Sequence, residues 1–239
     1  MFYLMEDTYS TEAIILKRST FKEFDMKVFL YTKDFGKLEL VVKGAKRIKS
    51  KIAGHVEPFN LVRVMAVRGK QYDYLGSAIN QNAFINIKND LEKVVLASRV
   101  VKLFNELIKL ELTDKELFIF LESFLSTLDQ KKAHNYELTY SAFVLKLLQI
   151  LGYELDLQIC SICKKNVGDF KSFFYNQKGE LVCDSCLANT EKTSVNQDSI
   201  KVLKFILNNN FEKIFKLKID QKNHKEASKF IGSFLQFNI

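Results

Sequence analysis

Residues 27–43 read KVFLYTKDFGKLELVVK, and this stretch decides how the first third of the chain folds. An apolar run at 27–32 leads into the turn Lys33-Asp34-Phe35-Gly36, where Gly36 is suited to a positive φ. Leu38, Leu40 and Val42 then alternate against Lys37, Glu39 and Lys43, the period of a half-buried strand. Upstream, residues 11–17 (TEAIILK) are rich in β-branched side chains. Downstream, residues 60–67 (NLVRVMAV) alternate again, and residues 71–79 close the set after the turn Arg68-Gly69-Lys70. Five short strands in about 70 residues predict a small barrel or sandwich, and an OB-type barrel is one five-stranded solution.

From residue 85 the period changes. Leu91, Val94, Val95, Ala97, Ser98, Val101, Leu103 and Phe104 follow helical spacing. A second helix is predicted over 115–128, with Thr113 or Asp114 as N-cap, and a third over 136–151, stopped by Gly152. Residues 198–207 and 224–237 add two more. Their Phe and Leu stripes read as core. The expected fold class is therefore α+β with two domains: a five-stranded OB-fold barrel over 1–80, then a helical domain over 81–239. With 239 residues, 47% of them hydrophobic and a single proline, Pro58, the chain has ample core and no Pro-rich linker.

The helical part is interrupted once, by two CxxC pairs. Cys160-Ser161-Ile162-Cys163 and Cys183-Asp184-Ser185-Cys186 are separated by 19 residues. Two residues between cysteines make a tight turn that points both sulfurs at one ion, and two such turns complete a closed tetrahedral S4 site. Four thiolates leave no open coordination position, so one structural zinc ion is expected, in a knuckle at about 157–190. Residues 170–175 and 180–182 can form a hairpin around Asn176-Gln177-Lys178-Gly179. A redox dithiol would sit in a βαβ unit, which is not visible, and an iron–sulfur cluster usually has other spacings.

Charge is unevenly spread. The chain has 36 basic and 28 acidic residues, net +8; residues 43–80 alone carry eight basic and two acidic ones, net +6. Lys43, Lys46, Arg47, Lys49 and Lys51 place five cations in nine positions without an acid. A solvated loop is one reading. The other is a polyanion partner that relieves the self-repulsion, and nucleic acid fits that role. A membrane surface fits less well, because the cluster lacks the apolar face of an interfacial helix. Tyr72 and Tyr74 lie two apart on one predicted strand, as base-stacking rings or as core.

Several classes find no support. No window approaches 18 apolar residues, and residues 1–10 have no basic, then apolar, secretory pattern; Met5 stands as an alternative start. The expected compartment is the reducing cytosol, where four cysteines read as metal ligands rather than disulfides. Phosphate-loop and dinucleotide fingerprints are missing. His55, His134 and His224 are scattered, and carboxylates such as Asp25 and Glu57 form no acid–base pair. A non-enzymatic binding protein is the expectation.

The segment Val41-Val42-Lys43-Gly44-Ala45-Lys46-Arg47, then Lys49-Ser50 and Pro58-Phe59, resembles the RecO recombination-mediator family. So do the lead-in Glu12-Ala13-Ile14-Ile15-Leu16-Lys17 and the turn Thr32-Lys33-Asp34-Phe35-Gly36-Lys37. The order of parts agrees too: an N-terminal OB-fold, then helices, with a four-cysteine zinc knuckle among them. The resemblance implies a bacterial, cytoplasmic, nucleoid-associated DNA repair protein. It implies binding of single- and double-stranded DNA, annealing of complementary strands, and loading of RecA onto strands coated by single-strand-binding protein. Its implied partners are RecR and the acidic, Phe-ended tail of single-strand-binding protein, which docks on the helical domain. Carried over, Lys43, Lys46, Arg47 and Lys49 are DNA-binding, with Lys17 and Arg18 at the end of the first strand as further candidates. Cys160, Cys163, Cys183 and Cys186 are the metal ligands. A transcription regulator or a zinc-stabilised protein-interaction adaptor, without annealing activity, is the rival reading.

Overall fold

Five strands open the chain: β1 (Thr8–Thr20), β2 (Met26–Thr32), β3 (Gly36–Val42), β4 (Leu61–Val67) and β5 (Asp73–Asn82). The computed structural model describes residues 8–110, 112–153, 155–166, 173–175, 180–186 and 193–238. The strands close into a barrel in the order β1-β2-β3-β5-β4, with β4 returning to pair with β1. All pairings are antiparallel except β3 with β5, where Val41 lies opposite Tyr74. The alternation seen in sequence sets the register. Ala13, Ile15, Val28, Leu30, Leu40, Val42, Val62, Val64 and Ala66 fill the interior. A bulge in β1 between Ile15 and Lys17 breaks that alternation and leaves Leu16 outside the register with β2.

The chain divides into two compact units, Met1–Gln130 and Lys131–Ile239. In the first, the barrel is joined by α1 (Ile85–Lys88), α2 (Leu91–Leu107) and α3 (Lys115–Gln130). Asp90 caps α2, and the Asp114 carboxylate accepts from the N–H of Glu116 at 2.7 Å, which settles the choice of cap at α3. The helical layer covers the outer face of β2 and β3 around Tyr31 and Lys37. Tyr31 is fully buried, packs edge-on against Phe104 at 5.0 Å and donates to the Asp114 carbonyl at 3.1 Å. Lys37 is buried, and its ammonium donates to the carbonyls of Asn105 and Ile108 at the end of α2. It offers positive charge where the helix ends on unpaired carbonyls.

Gly36 sits at φ 68°, as the turn reading requires. A Cβ there would lie 2.4 Å from the Leu112 carbonyl oxygen, against backbone that cannot rotate away. Gly36→Ala is expected to lower stability by about 2–4 kcal/mol, combining the left-handed penalty with displacement of the 112–113 backbone. Urea denaturation reads this directly; a loss within about 0.5 kcal/mol of wild type, the ordinary surface range, contradicts it.

The second unit is built on α4 (Tyr136–Ile150), which is buried nearly all round through Leu138, Ala142, Phe143, Val144, Leu145, Leu147 and Leu148. Packed on it are α5 (Gln197–Asn208) and α7 (Gln221–Asn238), with the short α6 (Phe211–Ile214) between them. Gly152, at φ 88°, ends the α4 segment. A small antiparallel sheet, β6 (Phe173–Tyr175), β7 (Leu181–Cys183) and β8 (Thr193–Val195), runs in the order β7-β6-β8. The hairpin expected from the sequence is the β6–β7 pair; its turn, residues 176–179, lies outside the described residues, as does residue 170. Tyr175 ties the sheet to α7 by an edge-on contact with Phe230 at 5.0 Å. Among the described residues, no helix is long and apolar enough to cross a membrane.

Candidate metal centre and nucleic-acid interface

The first CxxC pair occupies a tight turn. The Lys164 N–H donates to the Cys160 carbonyl at 3.0 Å, and Lys164 closes the turn at φ 61°. The second pair starts at the last residue of β7, Cys183, and ends in a 3-10 turn, Asp184–Cys186. The turns are held face to face: Ser161 N–H donates to the Leu181 carbonyl at 2.8 Å, and Cys183 N–H points to the Cys160 sulfur at 3.4 Å. The four sulfurs lie within 4.8 Å of one another, and none is in a disulfide.

A tetrahedral site with arms of about 2.3 Å has edges of about 3.8 Å. The Sγ atoms of Cys163 and Cys183 are 3.8 Å apart. This donor set fits one soft, tetrahedral metal ion. Four thiols so close cannot all ionise without a cation between them. Burial pushes the Cys160 thiol up, but N–H groups of Cys183, Cys163 and Ile162 outweigh it and bring Cys160 down to about 6. Hydrogen bonding to Cys163 and Cys183, which favours the protonated Cys186 thiol as donor, and then burial push Cys186 up to about 12.

At one rim of the barrel, the connection from β3 to β4 carries the basic cluster. It is irregular and anchored from within: Ala45 and Val56 are buried in the barrel core, and Gly44 takes φ 64°. The buried Asn60 amide donates to the carbonyls of Gly54 and His55 at 3.0 and 3.1 Å. The turn between β1 and β2, residues 21–25, clasps it. The Asp25 carboxylate accepts from Gly44 N–H at 2.8 Å, and the Phe24 carbonyl accepts from Lys46 N–H at 3.0 Å. Lys43, Lys46, Arg47, Lys49 and Lys51 are all exposed. Among the described residues, none of the five has a carboxylate within ion-pair distance.

Several cations of this end rest on rings. Lys43 lies 4.4 Å from the Tyr74 ring centre, Arg47 5.4 Å from Phe24, and Lys27 4.9 and 4.8 Å from Phe21 and Tyr72. Phe21 and Tyr72 themselves meet edge-on at 5.3 Å. Neither Tyr72 nor Tyr74 belongs to the barrel core. Tyr72 precedes β5 rather than lying in it, because that strand begins at Asp73. Phe21, Phe24 and Lys27 carry no sequence motif; their place follows from which loop clasps which.

Lys17 and Arg18 lie elsewhere. They line a groove of about 700 Å³ with Leu16, Pro58, Phe59 and Lys88, and none of the connection's five cations lines it. Arg18 is paired with Glu57 at 2.6 Å, which offsets its charge. Lys88 donates to Asn60, and burial holds its pKa below the usual lysine value.

Comparison with known proteins divides the chain earlier than the two compact units do, at the end of the barrel strands rather than after Gln130. The N-terminal pattern described as "Recombination protein O N terminal" matches residues 5–82, and "Recombination protein O C terminal" matches residues 88–239. A protein named DNA repair protein RecO from Thermoanaerobacter sp. (strain X514) is 29% identical over 227 residues, covering 95% of this chain and 90% of the relative. A namesake from Caldanaerobacter subterraneus subsp. tengcongensis is 29% identical over 230 residues, covering 96% and 92%. Another, from Clostridium novyi (strain NT), is 29% identical over 231 residues, covering 95% and 88%. Both halves of one family's pattern are thus met in order, and relatives align across nearly the whole length: the chain belongs to the RecO family.

Proposed function

We propose that this protein is a DNA-binding recombination mediator in DNA repair, acting in the bacterial cytoplasm without catalytic chemistry of its own. The observation that carries this reading is the set of five exposed cations, none with a carboxylate within ion-pair distance among the described residues, on one anchored connection at the barrel rim. Lys43, Lys46, Arg47, Lys49 and Lys51 track phosphates, and binding is driven by counterion release. That term is blind to sequence and serves single and double strands alike. Two complementary strands repel as polyanions; a cationic surface that holds both lowers the repulsion and leaves pairing to proceed downhill without nucleotide hydrolysis. Residues 1–80 act as the DNA-binding domain, and residues 81–239 as the helical domain that meets protein partners.

Those partners are RecR and the acidic tail of single-strand-binding protein, with RecA loaded onto the coated strand as the outcome. Lys17 and Arg18 contribute less than the connection, because Glu57 already compensates Arg18. The metal is zinc: four thiolates in a closed, one-ion site leave no position for substrate, so the ion holds the knuckle's fold. Fluorescence anisotropy with labelled single- and double-stranded oligonucleotides tests the reading. Both should bind at low salt and weaken steeply as salt rises. No binding of either at low salt contradicts it.

A further inference from the structure

The clasp at the barrel rim presents something a purely cationic surface does not need. Ile48 is fully exposed between Arg47 and Lys49, and Phe24 is exposed on the turn that clasps the same connection. Two backbone-anchored bonds fix these loops to each other, Gly44 N–H to the Asp25 carboxylate and Lys46 N–H to the Phe24 carbonyl. The two loops therefore bring an aliphatic branch and an aromatic ring to one end of the barrel among exposed Lys22, Lys46, Arg47 and Lys49, with the Glu23 carboxylate as the one exposed acid beside Phe24 on that turn. From it the rings of Phe21, Tyr72 and Tyr74 continue along the barrel, each under a lysine. Exposed apolar side chains among mostly cationic neighbours suit a partner that is apolar in the middle and anionic around it. Unpaired nucleotides have that chemistry, a flat base within reach of its own phosphate. A duplex does not present it, since its bases face one another.

Resting on the DNA-binding reading above, we propose that Phe24 and Ile48 engage unpaired bases and set a preference for single strands over duplex, while the surrounding cations serve both. In the free protein the Arg47 guanidinium occupies one face of Phe24. On binding, a base takes its place on the ring or on the open face, and the guanidinium is free to meet phosphate. Loss of the ring removes a contact that only an unpaired base can make, so the ratio of single-strand to duplex affinity should fall about tenfold.

The full-length Phe24→Ala and Ile48→Ser variants, compared with wild type on matched single-stranded and duplex oligonucleotides at one salt concentration, read that ratio. The chain has no tryptophan, so Phe24→Trp adds a lone indole reporter that does not depend on a loss of binding. Its fluorescence should be quenched by single strands and little changed by duplex. A tip that lets both affinities fall together, or neither, overturns the proposal, as does equal quenching by both DNAs. Absence of wild-type binding to either DNA overturns the underlying DNA-binding reading as well. If the variants lose binding to vesicles containing anionic lipid while their DNA ratio is unchanged, the tip serves a membrane surface and the proposal fails.

Discussion

Replacing Cys183 by serine is expected to abolish stoichiometric metal binding and to unfold the segment between α4 and α5, while the barrel unit stays folded. Cys183 is fully buried and belongs to a small cluster of its own, made of the four cysteines and Val182. That cluster is too small to hold two turns and a three-stranded sheet by apolar burial. On the zinc reading proposed above, the ion's binding free energy, about 10–16 kcal/mol for a structural zinc, would be folding free energy for this segment. Removing one ligand forfeits most of it. Metal content by mass spectrometry should fall from one ion per chain to none, and proteolysis should cut within residues 157–195. The separate barrel core, with Val28, Leu30, Leu40 and Val62 fully buried, should keep low-salt DNA binding. A Cys183→Ser protein that retains one ion and wild-type protease resistance contradicts the account of the knuckle.

The second large effect is on DNA binding. Lys46→Ala/Arg47→Ala should flatten the dependence of log affinity on log salt by about 1.4 on single strands, about 0.7 for each lost phosphate contact. Among the described residues neither side chain has an acid within ion-pair distance, whereas other cations of the barrel do. Arg18→Ala, by contrast, removes a cation that Glu57 holds at 2.6 Å and should change the slope far less. An unchanged slope in the double variant would refute phosphate contact at these positions. Equal slopes for the Arg18 variant and the double variant would move the DNA path toward the groove beside α2.

Both barrel and helices were legible because their signals are local. Leu38, Leu40 and Val42 alternate along β3, and all three face the barrel interior as that period demands. Gly36 and Gly152 mark turns that need positive φ, and both have it. The cysteine spacing prescribed two facing turns, and the sulfurs converge. What stayed hidden depends on distant pairs. Nothing in sequence says that Lys37 would be buried under the end of α2, because its partners are carbonyls 68 and 71 residues away. Arg18's pairing with Glu57, 39 residues away, likewise carries no local signal. Phe24 and Lys27 carry no local signal of a shared surface; the clasp between the 21–25 turn and the basic connection brings them to one end of the barrel.

Mediator function is read directly by annealing of two complementary oligonucleotides, bare or coated with cognate single-strand-binding protein, in the absence of nucleotide. A recombination mediator built as described should accelerate annealing on bare strands, keep that acceleration on coated ones, and lose it as salt rises. No acceleration on either substrate, together with no DNA binding at low salt, would contradict the account and leave a zinc-stabilised adaptor.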